Sequence, residues 1–97
     1  MSTLLLMEGQ ASISTEILGR YAGDAAREVI GVRDLHGRHA VKVDEDLRVE
    51  VHLAAEWGAS IPQIGRSVQS RVREYLLRMA DVEPTSVEVV VEEIGPR

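Results

Sequence analysis

Three histidines are the first residues whose chemistry could define a function, and two of them, His36 and His39, flank Gly37-Arg38 in a polar stretch close to Asp34. Imidazole and carboxylate together suit a divalent metal, but a working site needs three or four convergent ligands. Two loop histidines do not supply that set. His52 falls outward on a different, strand-like segment, so all three are expected to be solvated loop and surface residues, and no metal ligand is assigned. The run Asp44-Glu45-Asp46 is acidic enough to suggest a cation loop. A calcium-binding EF-hand needs a longer loop with a central glycine and a distant glutamate, so a solvated hairpin turn is the better reading. None of the serines sits in a Gly-x-Ser-x-Gly elbow or a Ser-x-x-Lys arrangement, and no glycine-rich phosphate loop follows a strand. The chain has no cysteine, which excludes disulfides, thiolate catalysis and cysteine-ligated zinc. No catalytic residue, no cofactor and no enzymatic activity are therefore expected.

The elements that would carry these side chains can be read from periodicity. From about Leu4 to Ile13 a mixed apolar segment predicts a first strand, with Gly9 as a bulge or bend. Ser14 is a suitable helix N-cap and Glu16 faces the positive end of the helix dipole. Ile17, Leu18, Tyr21, Ala22, Ala25, Ala26 and Val29 then recur at helical spacing and predict a helix to about Val29. Gly19 and Gly23 lie four apart on its flank and weaken its helix propensity, tolerated either for a gain in close packing or simply because a surface flank accepts them. Gly31 and Gly37 bracket a polar connection. Val41-x-Val43 and the alternation from Leu47 to Trp57 follow, predicting a half-buried hairpin that turns at Asp44-Glu45-Asp46.

Trp57 reads as a buried aromatic closing that strand. Ser60 with Gln63 forms a capping box and Pro62 lies in the first turn, so a second helix should start sharply at Ile61. Its predicted core stripe is Ile61, Ile64, Val68, Val72, Tyr75, Leu76 and Met79, closing near Ala80. Val87, Val89 and Val91 make the last strand, with Glu88 and Glu92 outward. The order β-α-β-β-α-β predicts an α+β two-layer sandwich of ferredoxin-like order, with two helices on one face of a mostly antiparallel sheet.

At 97 residues the chain reads as a single domain spanning residues 1–97. Phenylalanine is absent and aromatics make up only 3%, so the core must be built from Val, Leu, Ile, Ala and Met. That composition leaves little for base stacking. A net charge of -5 disfavours broad attraction to nucleic acid or anionic lipid. Leu4-Leu5-Leu6-Met7 is too short for a signal-peptide core or a membrane span, so a cytoplasmic location without direct membrane insertion is expected.

The one patterned surface is the second helix, where Arg66, Arg71, Arg73 and Arg78 are set against Glu74 alone. Helical angles place Arg66, Ser70, Arg73 and Leu77 on one stripe opposite the core face. This stripe reads either as an ordinary solvated face or as a docking surface in which guanidinium groups ring an apolar contact. Arg66, Arg73 and Leu77 are the candidate contact residues. Acidic residues crowd the hairpin and the C-terminal segment, so basic and acidic surfaces of two copies could meet head to tail.

Residue order adds a resemblance to these local readings. Val49-x-Val51-x-Leu53, Glu56-Trp57-Gly58, Ile61-Pro62-x-Ile64, Val68-Gln69, Met79 and Val87-x-Val89-x-Val91 resemble the alkaline shock (envelope stress response) family of Gram-positive bacteria. Ala26-Arg27-Glu28-Val29-Ile30-Gly31-Val32 is similar to that family's Ala-x-Glu-Val-x-Gly-Val segment. Trp57 stands where a tyrosine is usual, and Met79-Ala80-Asp81-Val82 replaces the usual Met-Thr-Gly-Leu. The charged tails of many relatives are missing after the last strand, so roles that depend on tails are not expected. The resemblance implies a non-catalytic cytoplasmic protein of envelope stress response, acting by self-association as a homo-oligomer or as an adaptor to a membrane-anchored partner. The alternative from another class is a small nucleic-acid-binding module using the Arg-rich second helix, which the acidic balance disfavours.

Overall fold

The computed structural model describes residues 3–5 and 12–96. Alternating valines decide its centre. In β5 (Arg48–Ala55) Val49, Val51, Leu53 and Ala55 are buried while Glu50 and His52 face the other way, the two-residue period of a strand covered on one side. Two shorter strands, β3 (Val32–Leu35) and β4 (Val41–Val43), pair antiparallel with successive parts of the same edge of β5. The chain leaves the sheet between them but stays pinned at both ends to one residue: His36 N–H donates to the His52 carbonyl at 2.9 Å, and His52 N–H donates to the Ala40 carbonyl at 2.7 Å. β3 and β4 thus behave as one interrupted strand. On the other edge of β5 lies β6 (Ser86–Ile94), parallel to it.

Both helices cover the valine face. Helix α1 (Thr15–Arg27) starts where Ser14 Oγ accepts from Ile17 N–H at 3.2 Å, and helix α2 (Ile61–Ala80) where Ser60 Oγ accepts from Gln63 N–H at 3.4 Å. Leu18, Ala22, Ala25 and Ala26 of α1 meet Ile64, Val68, Val72 and Leu76 of α2 and the inward residues of β5 in one core. With no phenylalanine to fill space, the layers must approach closely. Gly23 shows how: a Cβ there would stand 3.2 Å from Leu35 Cδ1 and 3.5 Å from Val41 Cγ2. The glycine thus lets α1 lie directly against the interrupted strand, which decides for close packing at this position.

This is the ferredoxin-like α+β sandwich expected from the order of elements, with two helices on one face of a mostly antiparallel sheet. Several local expectations are corrected. The segment from Leu4 to Ile13 is not one strand: β1 (Thr3–Leu5) and β2 (Ser12–Ser14) pair antiparallel with each other, Leu4 opposite Ile13, in a two-stranded sheet separate from the main one. Gly9 lies outside the described residues. The polar connection after Gly31 contains β3, whose exposed Arg33 and Asp34 hide any alternation.

Trp57 is 56% exposed rather than buried, because β5 ends at Ala55 and the chain turns through Gly58 at φ +86° before α2. Met79 is 45% exposed. The buried line of α2 runs through Ile64, Val68, Val72, Leu76 and Ala80, every fourth residue, and Met79 falls off it. Ile17 is likewise 37% exposed, and α1 ends at Arg27, short of Val29.

Candidate docking surface

The second helix presents its arginines in different ways. Arg71 Nη1 lies 3.0 Å from Glu28 Oε1 and ties α2 to the end of α1. The Arg78 guanidinium sits 5.2 Å from the centroid of the Tyr75 ring, a cation–π distance, and Tyr75 in turn meets Tyr21 of α1 edge-on at 5.9 Å. Arg73 Nη1 donates to the Pro84 carbonyl at 3.0 Å, clasping the link between α2 and β6. Arg66 makes no ion pair or hydrogen bond among the described residues. Leu77 is 54% exposed. The stripe Arg66, Arg73 and Leu77 therefore faces away from the core as the helical angle requires, but only Arg66 and Leu77 are held in reserve. Arg73 has structural work.

A second surface lies on the helix-free face of the sheet. The parallel pairing of β5 with β6 sets His52 opposite Val90, one turn of the pleat from Glu50 and beside Glu92. His52 Nε2 stands 2.6 Å from Glu50 Oε2 and Nδ1 stands 2.6 Å from Glu92 Oε1. An imidazolium can donate to both carboxylates at once, whereas a neutral ring can donate to only one. The Glu50 hydrogen bond, with that of Glu92, raises the His52 pKa above its ordinary value. The same bond to His52 lowers the Glu50 carboxyl below its own. On the same face His36 Nδ1 approaches Glu93 Oε2 at 3.5 Å and Arg33 Nη1 reaches Glu93 Oε1 at 4.0 Å.

His36 and His52 are thus neighbours through one backbone hydrogen bond, but no group of three or more His, Asp or Glu side chains among the described residues is arranged to hold a metal ion. Asp44-Glu45-Asp46 is a hairpin turn. Asp44 Oδ1 accepts from the N–H groups of Asp46 and Arg48 at 2.9 and 3.0 Å. The backbone N–H of Arg48, followed by its guanidinium, holds the Asp44 carboxyl below its ordinary pKa. A side chain engaged in this way is folding the turn.

A third feature joins two turns at the end of the sheet where β5 finishes. Glu56 N–H donates to the Gly31 carbonyl at 2.8 Å, fastening the turn after α1 to the turn before α2. Between them lies a groove of about 640 Å³ whose walls include Ile30 and Trp57 and whose lining includes Val29, Ala59 and Ile64. Ile30 is 95% exposed.

The model of the family of alkaline shock protein 23, described as having a cell envelope-related function, matches residues 37–96. This chain belongs to the alkaline shock protein 23 family. The matched part runs from the excursion after β3 through α2 to the end of β6, so it contains the His52 clamp and the Arg66–Leu77 stripe. The Bacillus subtilis (strain 168) protein YqhY, described only as uncharacterized, is 29% identical over 99 residues, covering 84% of this chain and 73% of YqhY.

Among solved structures, MamM CTD in its 215–293 form superposes with a TM-score of 0.52 at 19% identity, covering 80% of this chain and 96% of that chain. A methionine-to-leucine variant of MamM CTD gives 0.53 at the same identity, covering 80% and 95%. At such identity the likeness is one of fold, and it bears out the ferredoxin-like reading. No helix among the described residues is long and apolar enough to cross a membrane.

Proposed function

We propose that this member of the alkaline shock protein 23 family is a non-catalytic cytoplasmic protein of the cell envelope stress response. It acts by self-association, or as an adaptor to a membrane-anchored partner. The observation that carries the reading is the outward stripe of α2, where Leu77 is 54% exposed beside arginines on a protein of net charge -5. An exposed apolar side chain in line with arginines on one helix face has the composition of a contact core with a polar rim. The envelope-related function of the family supplies the setting.

Sedimentation velocity over a concentration series tests it with the parent, Arg66→Glu and Leu77→Ser. Arg73 is left in place because its reversal would also release the Pro84 carbonyl. Assembly of the parent that both variants weaken supports the proposal, with salt weakening the parent because exposed pairs are screened within roughly 8 to 10 Å. Leu77→Ser should leave the salt dependence unchanged. A panel of generic esterase, phosphatase and nuclease substrates should show only background turnover. Turnover abolished by changing His36 or His39 would refute the non-catalytic part.

A further inference from the structure

We infer that the groove walled by Ile30 and Trp57 receives Leu77 of a second copy, so that copies join head to tail through two different surfaces. The inference rests on the self-association reading above and supplies the receiving half of the contact. Among the described residues the exposed large apolar side chains are Ile17, Ile30, Trp57, Leu77, Met79 and Ile94, and of these Ile30 and Trp57 together wall a groove. The Gly31 turn packs closely on the groove's apolar lining of Val29, Ala59 and Ile64: a Cβ at Gly31 would stand 3.1 Å from Ile64 and 3.3 Å from Ala59. The groove is formed before anything enters it. A preformed pocket with an aromatic wall is the usual seat of an interface hot spot.

The incoming surface matches in charge. Leu77 projects from the exposed side of α2, in line with Arg66 and Arg73 on the helix. The groove carries Glu28 and Glu56 beside it, and Arg71 offsets only the first of these. Basic stripe and acidic rim are complementary, which favours this seating over one between like surfaces. The same acidic rim, on a protein of net charge -5, works against an anionic lipid surface as the occupant.

Groove and knob are different surfaces of one molecule, so the contact is heterologous and each copy can both give and receive. A contact built on one leucine is smaller than the roughly 800 Å² per partner of a standard stable interface. It should therefore be concentration-dependent.

Trp57 is the single tryptophan of the chain, so its fluorescence reports the groove alone. One copy carries Leu77→Ser and keeps the groove with its tryptophan. The other carries Ile30→Ser and Trp57→Ala, keeping Leu77 while emitting no tryptophan light. Each should sediment as a monomer by itself. Adding the second to a fixed amount of the first should shift the Trp57 emission to the blue along a saturating curve and produce a faster-sedimenting species.

In the otherwise unchanged protein, Ile30→Ser removes a side chain that is 95% exposed, so folding is spared, yet it should raise the concentration for half-assembly about tenfold. Circular dichroism of each variant establishes the fold. If the parent assembles but the mixture leaves the emission unmoved, the groove assignment is overturned and self-association stands. If the parent stays monomeric throughout, both fail. A blue shift with anionic vesicles and none with the second copy would overturn the inference in favour of a membrane surface.

Discussion

Replacing His52 with glutamine should remove a pH-dependent part of the protein's stability. His52 stands 2.6 Å from a carboxylate on each side, and its side chain is 23% exposed. Hydrogen bonds to charged groups contribute roughly 1.5 to 3 kcal/mol when well sheltered, whereas ion pairs open to water contribute ~0.2 to 1 kcal/mol. Partial exposure on the helix-free face places His52 near the top of the second range, so His52→Gln should cost about 1 kcal/mol where the imidazolium is fully formed.

The sign follows from proton binding. Folded His52 holds its proton to higher pH than the unfolded side chain, whose ordinary value is 6.5. Its contribution is fully present below 6.5 and is lost as pH rises through the raised folded value. Glu50 is shifted down from 4.5, so its share is present above 4.5 and lost as pH falls through the lowered value. The clamp is therefore strongest in a window of roughly pH 5 to 6.5.

Urea denaturation of parent and His52→Gln, followed by far-ultraviolet circular dichroism, reads the difference. The gap should be about 1 kcal/mol in the window and should close well above it. A gap that is constant across pH, or that widens on the alkaline side, would show that the two close contacts are not held by an imidazolium. Direct titration of the His52 ring by nuclear magnetic resonance should place its pKa above 6.5.

Three further substitutions follow from burial and backbone geometry. Trp57→Ala should change the stability of the isolated copy by no more than about 0.5 kcal/mol, since the ring is 56% exposed. Leu53→Ala, at a fully buried position, should cost about 2 to 5 kcal/mol, and a comparable cost for both would show the tryptophan to be packed. Gly31→Ala should destabilise by more than about 1 kcal/mol, because Gly31 has φ +96° and an added methyl would press on Ile64 at 3.1 Å. Ser60→Ala should cost about 1 kcal/mol through loss of its cap on α2, as measured by chemical denaturation.

The elements that were legible in the sequence are those whose signal is local. Ser14 and Ser60 announce their helices because a cap is a contact over three residues, and the alternation from Val49 to Ala55 announces β5 because each side chain reports its own face. The stripe of Arg66, Arg73 and Leu77 was legible for the same reason, since helical angle alone places it. What was not legible depends on partners far apart in the chain. His52 and Glu92 each read as outward residues, and Glu50 shares a face with His52 two residues away on the same strand, but Glu92 joins them only through the parallel pairing of β5 with β6, a register no local pattern states. β3 was hidden because its Arg33 and Asp34 are both exposed, so two charges interrupt its apolar signal. Trp57 was misjudged because alternation was carried one step beyond Ala55, past the point where the backbone turns at Gly58. The work done by Arg73 was hidden too, because its acceptor is a backbone carbonyl at Pro84.

Sedimentation velocity of the parent protein, from low micromolar to near-millimolar concentration, tests most directly whether this envelope-related protein works through its exposed stripe. A weight-average sedimentation coefficient that rises with concentration, and that Leu77→Ser returns to the monomer value, is the expected result. A parent that sediments as a monomer throughout, or a Leu77→Ser variant that assembles as the parent does, would contradict it.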